Sequence, residues 1–140
     1  SPLGGGFLTG KYRSNDGDNR AAKLGMLVHA EKSARDTALL DALLAVSAEL
    51  EASPTHVAIA WLREKARRST TTLIPILGSR TREQLDATLG ALEVQLSVEQ
   101  MARLDGVSEV AMGVPHESIA GSMARFTGAE TLDLPIIPVA

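Results

Sequence analysis

Thr70-Thr-Thr-Leu-Ile-Pro-Ile-Leu-Gly-Ser-Arg-Thr-Arg-Glu-Gln84 is the stretch on which the fold turns. It opens on three β-branched threonines and is almost continuously apolar from Leu73 to Leu77. That pattern predicts a strand over 70–77 covered on both faces, as in a parallel α/β sheet. Pro75 has no N–H for a ladder, so it belongs near the strand's end or at a bulge. Thr81-Arg-Glu-Gln84 reads as a capping box, with Leu85, Leu89 and Leu92 following at i, i+4 and i+7 as a core-facing stripe. A buried parallel strand needs neighbours, and the chain offers no second strand of this kind. Either 70–77 is an apolar linker in an all-α domain, or the chain is part of a larger α/β fold.

Working outward, residues 36–67 predict two helices. Leu39, Leu40, Leu43, Leu44, Val46 and Leu50 recur at helical spacing. Ser53-Pro54 restarts the chain, Ser as N-cap and Pro at the first helical position, where its missing N–H costs nothing. Val57, Ala58, Ala60, Trp61 and Leu62 form the second apolar face, and Lys65, Arg67 and Arg68 close the helix at its negative end. On the other side, Ser97-Val-Glu-Gln100 is another capping box, ahead of an apolar face of Val98, Met101 and Leu104. Residues 108–140 predict an irregular tail with one short helix around 118–126. Residues 1–35, punctuated by Gly4, Gly5, Gly6, Gly10 and a polar run over 13–20, predict a long loop, and such loops carry function or mobility.

Composition narrows the chemistry. A length of 140 residues suits one domain, and 44% hydrophobic residues with only 3% aromatics leave the core to Leu, Ile, Val and Ala. The absence of cysteine excludes disulfides, thiolate metal sites and Cys nucleophiles, and fits a reducing, cytoplasmic setting. A net charge of −3 argues against a nucleic-acid groove. The best apolar run, 38–50, is broken by Asp41 and Ser47, so no membrane span is expected. The first residue is Ser1, with no basic leader, and no signal peptide is expected.

Two places could hold an anion. Gly5-Gly-Phe-Leu-Thr-Gly-Lys11 matches a phosphate loop up to its last position, where Tyr12 replaces the Mg²⁺-binding hydroxyl residue. No strand precedes it, which disfavours a nucleotide triphosphatase. The dinucleotide pattern also fails, because Thr9 stands where the third glycine belongs. The second place is Leu77-Gly-Ser-Arg-Thr81. A helix start there presents unpaired N–H groups, Gly78 lets a phosphate approach the backbone, and Arg80 and Arg82 match phosphate bidentately. The same residues also suit an ordinary solvated helix start. His29, His56 and His116 lie too far apart in sequence for a metal motif and read as satisfied surface or half-buried residues.

Three ordered segments carry a resemblance. Ser1-Pro-Leu-Gly-Gly-Gly-Phe-Leu-Thr-Gly-Lys-Tyr12, Ser53-Pro-Thr-His-Val-Ala-Ile-Ala-Trp-Leu62 and Ile74–Gln84 followed by Leu89-Gly-Ala-Leu92 together resemble the C-terminal portion of an aldo-keto reductase. The resemblance covers roughly residues 1–107. It implies a partial (β/α)8 TIM barrel of class α/β, holding the eighth strand and its flanking helices and helix-rich as an isolated chain. On that reading 1–140 is one partial domain: a cofactor loop after the seventh strand at 1–35, helices and the eighth strand at 36–107, and a tail at 108–140. The seventh strand would end just before Ser1.

The family reduces aldehydes and ketones with NADP(H). By resemblance, Ser1, Pro2, Leu3, Gly4 and Gly5 lie along the cofactor pyrophosphate and Lys11 reaches the same phosphates. Gly78, Ser79 and Arg80 hold the adenosine 2′-phosphate, and Gln84 contacts the adenosine end. This agrees with the barrel rule that phosphate sites form after strands seven and eight. Ala87 and Thr88 stand where the family often has an acid and an Asn, which leaves Thr88 a weaker adenine contact. The family's catalytic Asp, Tyr, Lys and His come from the first half of the barrel, so no catalytic residue and no metal ligand is assigned; Tyr12 is not that tyrosine. The implied function is the cofactor-binding part of an NADP(H)-dependent oxidoreductase acting on a small carbonyl substrate, with residues 108–126 as pocket wall. The alternative is a non-catalytic regulatory or interaction module of the same fold, assembling with a partner or with itself through an open barrel edge.

Overall fold

Ser33 accepts the Asp36 N–H on its side chain and so starts helix α1 (Ala34–Glu49). The computed structural model describes residues 2–13, 31–69, 72–79 and 81–126. Hydroxyl caps of this kind start four of the described helices, because they satisfy donors that the first turn leaves open. Ser53 caps α2 (Pro54–Arg68), Thr81 caps α3 (Arg82–Leu89) and Ser97 caps α4 (Val98–Ser108). At Ser97 the box is complete: its hydroxyl takes the Gln100 N–H, and Gln100 Oε1 takes the Ser97 N–H at 3.0 Å. α5 (His116–Phe126) lies in the stretch where a short helix is expected, beginning two residues earlier.

α1 ends differently. The Ala52 N–H donates to Ser47 O at 3.0 Å and the Glu51 N–H to Ala48 O at 3.3 Å. This is a Schellman stop, and its left-handed position is filled by Glu51 at φ +50°, not by glycine.

The core lies between α1, α2 and α4, with the N-terminal segment laid against it. Leu40, Leu43 and Val46 from α1, Val57 and Ala58 from α2, Leu104 from α4 and Phe7 form one buried cluster. Phe7 belongs to a 3₁₀ segment, Gly4–Thr9, inside the stretch expected to be loop. Gly5 and Gly6 interrupt its helical geometry at φ +65° and +100°. α2 also packs on a 3₁₀ turn, Gly90–Leu92, whose Ala91 is fully buried.

Two expectations are corrected. No described residue forms a strand: 72–79 carry no regular structure, and Thr70 and Thr71 lie outside the described residues. A strand exists only through a ladder, no other described segment runs beside 72–79 as a partner strand, and Pro75 withholds a donor. Leu73, Ile74 and Ile76 accordingly stand 40%, 78% and 84% exposed. The stripe of Leu85, Leu89 and Leu92 is not core either. α3 buries none of its residues, because the core is already closed by α1, α2 and α4.

Candidate functional site

The glycine turn owes its shape to a short set of backbone bonds. The N–H groups of Gly6 and Leu8 both donate to Leu3 O, at 2.9 and 3.2 Å. Thr9 Oγ1 donates to Gly6 O at 2.7 Å, and Tyr12 OH reaches back to Gly5 O at 2.9 Å. Lys11 Nζ sits 5.1 Å from the Tyr12 ring centroid, within cation–π range. Position 6 is suited to glycine because the φ of Gly6, +100°, is left-handed; a Cβ there would also meet the movable ends of two side chains, Lys11 Cε at 2.9 Å and Tyr12 OH at 3.1 Å.

This turn faces a cavity of about 610 Å³, within the ~300–1,000 Å³ of small-molecule sites. Pro2, Leu3, Gly5, Gly6, Thr9 and Lys11 form one wall. Ile76, Leu77, Gly78 and Ser79 form a second, and Gln84, Ala87 and Thr88 of α3 a third. Ser53, Thr55 and His56, at the start of α2, complete the lining. A Cβ on Gly78 would enter open space, so its backbone is approachable from the cavity.

Of the residues expected at a cofactor site, Pro2, Leu3, Gly5, Lys11, Gly78, Ser79, Gln84 and Thr88 therefore surround one cavity. Gly4 does not line it; its φ of +56° turns the chain over Phe7, whose Cβ lies 3.4 Å from where a Gly4 side chain would begin. Ser1 and Arg80 lie outside the described residues, as do His29, residues 14–30 and the tail 127–140. The sequence reading missed Gly6, Thr9, Thr55 and His56 as lining and saw Ser53 only as a cap. The Ser-Pro helix start was the available signal, since it marks a second helix N-terminus, but only the fold shows that it faces the first.

The electrostatics are local. At the start of α3, Glu83's own N–H and the Thr81 hydroxyl hold the Glu83 carboxyl below its usual range. Those groups thus already occupy part of the donor capacity at the start of α3. Arg82 is turned toward Asp86, 3.6 Å away on the exposed side of α3. His56 donates its backbone N–H to Ser53 Oγ at 3.2 Å, and its ring Nε2 meets the Ala87 carbonyl oxygen. Because a carbonyl only accepts, Nε2 carries the proton. Among the described residues, no three His, Asp or Glu side chains gather as metal ligands would. No helix among them is long and apolar enough to cross a membrane.

Comparison with known proteins adds a family. The Aldo/keto reductase family model matches residues 1–109. An uncharacterized oxidoreductase of Mycobacterium tuberculosis is 32% identical over 99 residues, covering 71% of this chain and 29% of that protein. Probable aldo-keto reductase 1 of Glycine max is 28% identical over 122 residues, covering 86% of this chain and 32% of its own length. Versiconal hemiacetal acetate reductase of Aspergillus parasiticus is 29% identical over 107 residues, covering 75% of this chain and 30% of its own length. The chain thus spans about 30% of the length of the relatives it matches.

Proposed function

This chain belongs to the Aldo/keto reductase family, and on that premise we propose that its cavity takes the phosphate and adenosine end of NADP(H) in a carbonyl-reducing oxidoreductase. One observation carries the reading. Stretches separated by more than sixty residues, at Pro2–Lys11 and at Gly78–Thr88, line the same open cavity. The fit is supported by the chemistry of that lining: an ammonium from Lys11, hydroxyls from Thr9, Ser79 and Thr88, an amide from Gln84, and glycine backbone that a phosphate can approach.

In this reading the glycine turn and Lys11 bind the pyrophosphate, the turn rigid because Leu3 O and Gly5 O hold it from both ends. Gly78 and Ser79, with Arg80 beside them in sequence, take the 2′-phosphate. Gln84 and Thr88 orient the adenosine; Thr88 Oγ1 is already fixed to Gln84 O at 2.7 Å. Arg80 favours NADP over NAD, because a guanidinium pairs bidentately with a phosphate, whereas Arg82 is turned toward Asp86. When bound, the cofactor supplies the hydride delivered to a carbonyl carbon. The chain contributes binding and orientation, and no catalytic proton donor is assigned to it.

The test is a titration of the chain with NADPH, NADH and 2′,5′-ADP, followed by fluorescence or calorimetry. Binding of NADPH and 2′,5′-ADP is expected, with Arg80→Ala losing NADPH affinity more than NADH affinity. Equal losses would remove the 2′-phosphate role, and no binding at all would remove the reading. Added carbonyl substrate should bring no NADPH oxidation by this chain. A second reading, an interaction module, is favoured by the exposure of Ile74 and Ile76; light scattering that finds only monomer would count against it.

A further inference from the structure

α3 is held without a buried side chain of its own: Leu85 and Leu89 are 45% and 47% exposed. Its position is set at its C-terminal end by contacts with α2. Arg63 Nη1 donates to Ala91 O at 2.9 Å and to Leu92 O at 3.1 Å, just past the helix. One turn earlier, the His56 Nε2–H points at Ala87 O, one of the last-turn carbonyls that need partners from outside the helix. Gly90 leaves room for the ring; a Cβ there would meet His56 Cε1 at 3.0 Å and Nε2 at 3.2 Å. Neither Arg63 nor Gly90 lines the cavity, whereas His56 does, facing the wall of Gln84, Ala87 and Thr88.

We propose that His56 is a positioning residue for this cavity: its bond to Ala87 O fixes how far the Gln84–Thr88 wall stands from the Lys11 turn. The bond reaches both residues that the cofactor reading places on the adenosine. Thr88 is the next residue, and its hydroxyl is tied to Gln84 O. His56 touches no reacting atom; it acts through the backbone of α3. The inference rests on the cofactor reading for its effect on affinity, but not for its effect on α3.

The experiment has two arms on the full chain. The first follows amide hydrogen exchange without ligand. His56→Ala should speed exchange of the α3 amides about tenfold, the scale of one lost hydrogen bond, and leave α1 and α4 unchanged. The second measures NADPH affinity, which His56→Ala should weaken by a similar factor. His56→Gln, whose amide nitrogen can replace Nε2, should restore most of both. Gly90→Ala, which pushes the ring by a few tenths of an ångström, should shift both arms in the same direction as His56→Ala but by less, although Gly90 has a helical φ of −55° and alanine is the better helix former. Unchanged α3 exchange in His56→Ala overturns the proposal. Unchanged NADPH affinity in His56→Ala, with the parent chain binding, overturns it as well. A parent chain that fails to bind NADPH removes the cofactor reading, and the exchange arm alone then decides whether His56 holds α3.

Discussion

Trp61 Nε1 donates to Asp105 Oδ1 at 2.8 Å, and the same oxygen lies 3.4 Å from Lys65 Nζ. Lys65 also stands 5.8 Å from the Trp61 ring centroid. A polar triangle thus joins α2 to α4 at the rim of an apolar core. The indole bond is part-buried, while Lys65 is 46% exposed. Asp105→Ala should therefore cost about 1–2 kcal/mol, because it leaves the indole N–H unpaired. Lys65→Met should cost less than about 0.5 kcal/mol, as exposed ion pairs do. Urea unfolding followed by the emission of Trp61 measures both, and equal losses would put the strength of the triangle in the ion pair.

Glu51 holds a left-handed conformation that side chains resist. Glu51→Gly should raise stability by about 0.5 kcal/mol, the relief of strain exceeding the added freedom of the unfolded chain. Thermal unfolding checks this; a lowered midpoint would mean that the Glu51 side chain contributes more than its backbone costs.

Gly6 and Gly78 should respond unequally to alanine. At Gly6 the left-handed φ strains any side chain, so Gly6→Ala should lose about 1–3 kcal/mol, and its methyl, by pushing the ends of Lys11 and Tyr12 aside, should weaken NADPH binding. At Gly78 the new methyl enters open space, and stability should stay within about 0.5 kcal/mol. Circular-dichroism melts of the two variants side by side decide it; equal melting points would contradict the turn geometry.

Arg13 gathers two acids, donating to Glu31 at 2.7 and 2.8 Å and to Asp41 at 2.5 Å. Its guanidinium holds the Glu31 carboxyl down from 4.5 to about 2. A carboxyl depressed on folding stabilises above its unfolded value and loses that contribution as pH falls toward the folded one. Stability should therefore decline from about pH 4.5 to about pH 2. Glu49, held down by Arg103 and Gln100, works in the same direction. Urea midpoints across that range should fall less steeply in Glu31→Gln, and an unchanged slope would remove Glu31 from the acid response.

The helices were legible because their signals are local. Ser33, Ser53, Thr81 and Ser97 cap within three residues of themselves, and the spacing of Leu40, Leu43 and Val46 already aims one face inward. Misreadings arose where a partner decides. The run from Leu73 to Leu77 has strand composition, but a strand needs a neighbour. Leu85 and Leu89 have core spacing on a helix that buries none of its residues. Much of the candidate site was legible only through resemblance, since Lys11 and Gly78 carry no mark of standing at one cavity. His56 was invisible because its partner is a backbone carbonyl, and every residue has one. Glu51 left no sign either, a helix stop without the expected glycine.

The open segment 72–79 bears on how copies of this chain meet one another. From Ser69 to Ser79 the sequence has no charged residue, and three large aliphatic side chains there face outward. Such a stretch is what sticky intermolecular sheets are made from. Its one internal gatekeeper is Pro75, which denies an incoming chain a hydrogen-bond donor midway along the run. The proline that limits pairing within the fold thus also guards the chain against aggregation with its own copies.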